Sequence, residues 1–202
     1  MAKRESAQVR TRQAPRAQTV LVAQRRHRRL WWAVVATGLA IVVGLGVVAV
    51  GGQGKDGTTD PAAFDLPVLG GEGRVRLADF RGTPVVVNFF ASWCTACDFE
   101  LPGFTSAADA LRGKVAFVGV NALETGDWRP MAERHQLEEH GFVLASDTGG
   151  RQGSGLHAAL GGRGMPITAF YDADGKLLDV AGGALPEQAL LERLRELYGV
   201  EV

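Results

Sequence analysis

The sequence predicts an α/β domain set behind one apolar segment of membrane-spanning length. Three observations predict it. Short runs of β-branched and aromatic residues, at Val85–Phe90 and 115–120, alternate with stretches of helical periodicity, the pattern of a βαβ unit. The end of the chain changes pattern, to two strands around an Asp172-Ala173-Asp174-Gly175 turn followed by a closing helix. Residues 31–50 are twenty positions without a charge. As a helix rising about 1.5 Å per residue they reach about 30 Å, the thickness of the hydrocarbon core.

Charge divides the chain in the same way. Residues 1–30 hold nine Lys/Arg and one acid, net +8, whereas residues 51–202 hold thirteen Lys/Arg and twenty-one Asp/Glu, net −8. The basic run Arg25-Arg26-His27-Arg28-Arg29 on its own also suits nucleic acid. An apolar run that opens on Trp31-Trp32 follows it directly, and this favours membrane topology, with the arginines cytoplasmic and the acidic domain outside. No nucleic-acid partner is expected. A cleavable signal peptide is the alternative for 31–50, and Ala49-Val50-Gly51 is a tolerable cleavage neighbourhood. Against it stand the long front region and an apolar run longer than the usual 7–15 or so. No cysteine follows the run, so a lipoprotein is not expected. The expected organisation is a basic cytoplasmic tail at 1–30, a signal-anchor helix at 31–50, a Gly/Thr/Asp-rich tether at 51–62 and a domain at 63–202.

Within the domain, Phe64-Asp65-Leu66-Pro67 and Gly73-Arg74-Val75-Arg76-Leu77 predict a β-hairpin, closed by a turn at Ala78-Asp79-Phe80. The run Val85–Phe90 is uninterrupted by charge and reads as a buried strand. Cys97, Leu101, Phe104, Ala108 and Leu111 then recur at helical spacing, predicting a helix from Thr95 to about Arg112 with a kink at Pro102. After the strand at 115–120 comes a loop and a second helix. Asp127 is its expected N-cap, Trp128, Met131, Ala132 and His135 form its face, Trp128 and Met131 are expected in the core, and His135 and His140 at the surface. A short strand is expected at 142–145 and a short helix at 156–160 within a Gly-rich stretch. Those glycines do not form a strand-to-helix G-x-G-x-x-G, so a dinucleotide site is not expected, and His157 is assigned no role. Pro166 begins a strand, 176–181 is the returning strand, and 186–198 is a helix packed through Leu190, Leu194 and Leu197.

The chemistry concentrates at Cys94-Thr95-Ala96-Cys97, which holds the only two cysteines. The pair lies where a strand ends and a helix begins. Unpaired N–H groups and the positive end of the helix dipole stabilise a thiolate there and lower its pKa. Cys94 is the outer residue and the expected nucleophile, and Cys97 the resolving thiol. Other readings are a structural disulfide, a zinc site and inert buried thiols. The first would close a tiny loop and constrain little chain. The second needs about four ligands, and the four histidines lack ligand spacing. Neither a metal nor a cofactor is expected.

Val86-Val87-Asn88-Phe89-Phe90-Ala91-Ser92-Trp93-Cys94-x-x-Cys97-x-x-Glu100-x-Pro102 resembles the active-site block of the thioredoxin superfamily. More narrowly it is similar to the membrane-anchored or periplasmic thiol–disulfide oxidoreductases of the TlpA/ResA type, over roughly residues 64–200. The resemblance implies a thioredoxin-like fold, a central mixed sheet flanked by helices, with an N-terminal β-hairpin extension and an αβ insertion. It implies a cis peptide bond at Met165-Pro166 with the proline ring against the dithiol, and a Met165 backbone that pairs with an extended substrate. The bland alternative is a trans proline at a strand start. Such proteins often carry proline before the second cysteine, and here Ala96 stands there.

The expected catalytic residues are therefore Cys94, Cys97 and Glu100, with Trp93, Met165 and Pro166 in substrate binding. Thioredoxins place an aspartate where this chain has Asn88, which does not titrate. Glu100, three residues beyond Cys97 on the same side of the helix, is the nearest acid, and partial burial would raise its pKa toward that of a base. The plain alternative is a surface carboxylate favourable to the helix dipole. The resemblance implies a reductase of protein disulfides, such as those of apocytochrome c, recharged by a membrane electron donor. Three alternatives share the fold: an oxidant of secreted proteins, a peroxiredoxin-like peroxidase and a copper-chaperone module.

Overall fold

The computed structural model describes residues 59–149 and 155–201. The predicted segments at 1–30 and 31–50 and most of the tether lie outside them. Among the described residues no helix is long and apolar enough to cross a membrane.

Two short strands, β1 (Asp65–Pro67) and β2 (Arg74–Arg76), pair antiparallel as the expected hairpin. The central strand β3 (Val85–Phe90) is buried along its whole length, as its unbroken apolar run requires. Helix α1 (Thr95–Ala110) follows, then β4 (Ala116–Ala122), α2 (Arg129–Arg134) and β5 (Phe142–Asp147). The single turn α3 (Leu156–Ala159) leads to β6 (Ile167–Tyr171), β7 (Leu177–Gly182) and the closing helix α4 (Glu187–Tyr198). The main sheet has the order β5-β4-β3-β6-β7. Strands β3, β4 and β5 are parallel because helices connect them, and β6 and β7 run antiparallel. This is a thioredoxin-like α/β fold. The hairpin covers the outer edge of β5: Val68 bridges Ala145, and Leu69 N–H donates to the Leu144 carbonyl at 3.0 Å. A sheet edge that would otherwise be a template for aggregation is thereby closed.

Strand parity sorts the core. Val86 and Phe90 face a cluster with Leu101 and Phe104 of α1 and Leu190 and Leu194 of α4. Val85, Val87 and Phe89 face the opposite cluster, with Phe64, Leu77, Leu156 and Tyr171. Asn88 shares the parity of Val86 and Phe90, which places a polar group under α1 among apolar neighbours. Helices α1 and α4 meet closely at Gly103, where a Cβ would stand 2.7 Å from the Glu187 Cβ. No other residue fits there without moving α4.

Several expectations are corrected in detail. Helix α2 begins one residue later than expected, with Trp128 as its N-cap, although the Asp127 carboxylate still accepts from Arg129 N–H at 3.1 Å. The His135 side chain is 11% exposed rather than on the surface, because its Nε2 lies 2.6 Å from Asp98 Oδ1 on the neighbouring helix. Helix α1, expected to reach about Arg112, ends at Ala110, with Pro102 inside it. The short strand expected at 142–145 extends to Asp147, since its whole length finds a partner in β4.

Candidate active site

The site is built at the C-terminal end of β3. The chain leaves the strand at Phe90, turns through Ala91–Trp93, and enters α1 with Cys94 as its N-cap. Cys94 and Cys97 form a disulfide. The Cys94 sulfur accepts from Cys97 N–H at 3.1 Å, so a sulfur occupies the place of the usual capping oxygen. On reduction the same N–H, with the helix dipole behind it, stabilises a Cys94 thiolate. Both sulfur residues are buried, Cys97 completely. Cys97 Sγ lies 3.8 Å from the Phe89 carbonyl oxygen, an acceptor for its thiol in the reduced form.

Three residues past Cys97 on the same helix lies Glu100, 1% exposed. Its two oxygens accept from Asn88 Nδ2 and from Leu185 N–H, each at 2.7 Å. Burial raises its pKa to about 7, and these two donors only partly offset the rise. The carboxylate is thus poised to exchange a proton near neutral pH, although in this oxidised state it bonds Asn88 and Leu185 rather than Cys97. Leu185 precedes α4 by two residues, so the close approach at Gly103 also delivers this donor. Asn88 Nδ2 reaches Thr168 Oγ1 as well, at 3.2 Å, which ties Glu100 to β6.

Strand β6 brings the proline loop. The Met165–Pro166 bond is cis. The antiparallel register pairs Asn88 with Thr168, so the end of the ladder where β3 runs on to the dithiol turn is the end where Pro166 precedes β6. The Met165 side chain packs against the core cluster that contains both sulfurs. An open cleft of about 530 Å³ runs beside this loop, lined by Leu160, Arg163, Met165, Pro166, Val180 and Gly183 among others. His157, which the sequence assigned no role, is buried under it. Its ring stands edge-on to Phe89, and its Nε2–H donates to the Gly164 carbonyl at 2.9 Å, holding the loop just before Met165.

Trp93 stands on the opposite flank, 49% exposed, with its Nε1–H donating to the Leu123 carbonyl at 2.9 Å. The loop that supplies this carbonyl is organised by Glu124, which sequence reasoning missed. The Glu124 carboxylate accepts from Ser92 N–H, Ser92 Oγ, Asn121 Nδ2, Thr125 N–H and Gly126 N–H, at 2.6–2.9 Å. Burial alone would raise its pKa, but the donors from Ser92, Asn121 and Gly126 outweigh it and hold the group at about 2. Glu124 thus clamps the active-site turn to the end of β4. The only sequence signal was an acid three residues past Asn121 at a strand end, which is weak. Among the described residues no three His, Cys, Asp or Glu side chains converge where a metal could sit.

The AhpC/TSA family profile matches residues 59–180. The chain belongs to the AhpC/TSA family. The thiol:disulfide interchange protein DsbE of Pseudomonas fluorescens biotype C is 32% identical to it over 136 residues, 67% of this chain and 72% of that protein. The thiol-disulfide oxidoreductase ResA of Bacillus thuringiensis subsp. konkukian is 26% identical over 127 residues, 61% of this chain and 69% of that protein. Among solved structures, the exposed lipoprotein thioredoxin Etrx1 of Streptococcus pneumoniae strain TIGR4 superposes with a TM-score of 0.55. It is 27% identical, and the match covers 67% of this chain and 99% of that one. With a Cys94-x-x-Cys97 disulfide at the head of α1, this member of the family is a thiol–disulfide oxidoreductase of the DsbE and ResA type.

Proposed function

We propose that the domain is a reductase of protein disulfides outside the cytoplasmic membrane, with disulfides of apocytochrome c haem-binding cysteines as one substrate class. The observation that carries this reading is a dithiol whose outer sulfur caps a helix, with a buried carboxyl of pKa about 7 three residues beyond its inner cysteine. In the reductive direction the Cys94 thiolate attacks a substrate disulfide, forming a mixed disulfide and releasing one substrate thiolate. The Cys97 thiol passes its proton toward Glu100. The Cys97 thiolate then attacks Cys94 Sγ, which re-forms the Cys94–Cys97 disulfide and releases the second substrate sulfur. Two electrons have passed to the substrate. Trp93 shapes the approach to the sulfurs, the Pro166 ring lies against them, and the Met165 backbone pairs with the extended substrate.

The oxidised domain needs recharging in an oxidising compartment, and a dithiol donor held in the membrane meets that need. The charge asymmetry and the apolar run at 31–50 support a single-pass anchor with 1–30 cytoplasmic, 51–62 as tether and 63–202 outside. Alkaline phosphatase fused after Val202 is then active and sediments with membranes, and an inactive fusion removes this topology. The direction of electron flow is tested by equilibrating the Cys94–Cys97 pair with glutathione. A reductase has a potential at or below about −220 mV, whereas a value near about −120 mV makes the protein a disulfide-forming oxidant.

A further inference from the structure

Among the described residues three large apolar side chains are exposed: Trp93 at 49%, Phe99 at 72% and Val143 at 39%. Two of the three flank the dithiol. Ala96 and Pro102 are exposed as well. Residues 96, 99 and 102 are spaced in threes, an inclined ridge of neighbouring side chains that turns through about 120° about the helix axis, and Trp93 stands just ahead of the helix. This ridge of α1 is apolar from the turn after Cys94 to Pro102, bordered on the same side of the helix by the exposed Thr95 and Ser106. The solvent face of a surface helix is ordinarily polar.

The carboxylates nearest the sulfurs are already engaged. Asp98 is held by Arg134, at 2.9 Å from each carboxylate oxygen, and by His135 at 2.6 Å. Glu100 is buried, and Glu124 is enclosed by five donors. A net −8 segment thus presents, around its sulfurs, a surface where Asp98, Glu100 and Glu124 each already have partners. Removing such a surface from water leaves few unpaired charges behind.

What covers it follows from the chemistry of exchange. The partner is covalently joined to Cys94 in the mixed disulfide, so its surface is fixed around that sulfur. A typical half-interface of about 800 Å² has a radius of roughly 16 Å. Phe99 lies only five residues along the helix from Cys94, about 7.5 Å of helical rise, so a protein partner of that size covers it. On the other side of the sulfurs, the cleft beside Pro166 is lined by Gly161, Gly162 and Gly164, which put no side chain in the way of an extended sequence. The two flanks therefore differ, one tolerant of sequence and one selective.

We infer that Trp93, Ala96, Phe99 and Pro102 form a docking stripe that selects partner polypeptides carrying bulky apolar side chains beside the cysteine that exchanges with Cys94. This rests on the thiol–disulfide exchange proposed above. Phe99 is the specificity-determining residue, since it has the most surface left to bury.

The test uses two synthetic peptides with the same Cys-x-x-Cys disulfide, one flanked by Leu and Phe, the other by Ser and Thr. Each is mixed with the reduced full-length protein in detergent micelles, quenched with acid and resolved by chromatography. Wild type is oxidised by the apolar peptide about tenfold faster than by the polar one, the order expected when one aromatic side chain is buried. Phe99→Ser reduces this preference to about twofold. Val143→Ser, which removes an exposed apolar group on β5, leaves it near tenfold; because peptide partitioning into micelles is common to all variants, the comparison among them isolates the stripe. Equal rates for both peptides in wild type, or an undiminished preference in Phe99→Ser, overturns the inference while leaving the oxidoreductase intact. Reaction with neither peptide overturns the exchange reading, and the stripe with it.

Discussion

Two glutamates touch the active-site region, and they behave in opposite ways. Glu100 lies under α1 in the core and carries a pKa raised to about 7, because burial outweighs its two donors. Glu124 lies in the loop after β4 and is held at about 2, because the donors aimed at it outweigh a smaller burial. The difference teaches that donor count set against solvent loss, not residue type, decides whether a carboxylate moves protons or fixes geometry. Glu100 is left with a proton to exchange. Glu124 stays charged across the physiological range and serves as a clamp.

The largest expected effect is on stability against pH. Below about pH 4.5 Glu100 is neutral in both folded and unfolded chains and contributes nothing. As pH rises toward 7 the unfolded chain ionises first, so the folded state loses stability, up to about 3 kcal/mol from this group, and the loss levels off above its folded pKa. Denaturant titrations across this range will show the decline in wild type and its absence in Glu100→Gln. A wild-type curve no steeper than the variant's would place Glu100 in water.

Kinetics sharpen the same contrast. Glu100→Gln slows resolution of the mixed disulfide by about 100-fold and removes the ionisation near pH 7 from the pH–rate profile, read by stopped-flow with a peptide disulfide. Unchanged kinetics would make Glu100 structural only. Glu124→Gln has the opposite signature. It costs about 2 kcal/mol of stability at pH 7, by replacing charge-assisted acceptors. The depressed pKa means that this difference is present above pH 4.5 and fades as pH falls toward 2. The ionisation near pH 7 stays in its rate profile. The smallest effect is that of Trp93→Phe. Losing the bond to the Leu123 carbonyl on an exposed side chain costs about 0.5 kcal/mol in thermal or denaturant unfolding, and a loss of several kcal/mol would mean that Trp93 organises the loop rather than resting on it.

Much of the fold was legible because the sheet is buried on both faces. A strand such as β3 must then be an unbroken apolar run, and such a run is visible without a structure. The dithiol was legible for a related reason: two cysteines directly after that run, at the start of a helical pattern, leave little choice of place. His135 was misread because its burial depends on Asp98, on another helix, and no local pattern announces such a partner. Glu124 was missed because its donors come from Ser92 and from its own loop, a convergence that exists only once β3 and β4 lie side by side. Phe99 lies off the buried spacing of Cys97, Leu101, Phe104 and Ala108, so periodicity placed it away from the core, but no local pattern told how bare its surroundings would be.

From the residues alone came the order of elements, the position of the sulfurs, the turn that returns β7 and the proline that opens β6. Each depends on neighbours in the chain, through periodicity, capping and turn preference. The tertiary structure alone decided which groups surround the sulfurs. It placed Leu185 N–H against Glu100 across the Gly103 contact, turned five donors onto Glu124, and left Phe99 in solvent beside the dithiol. Proton affinity and exposure are set by everything packed within a few ångströms, and those atoms are contributed by segments far apart in the chain.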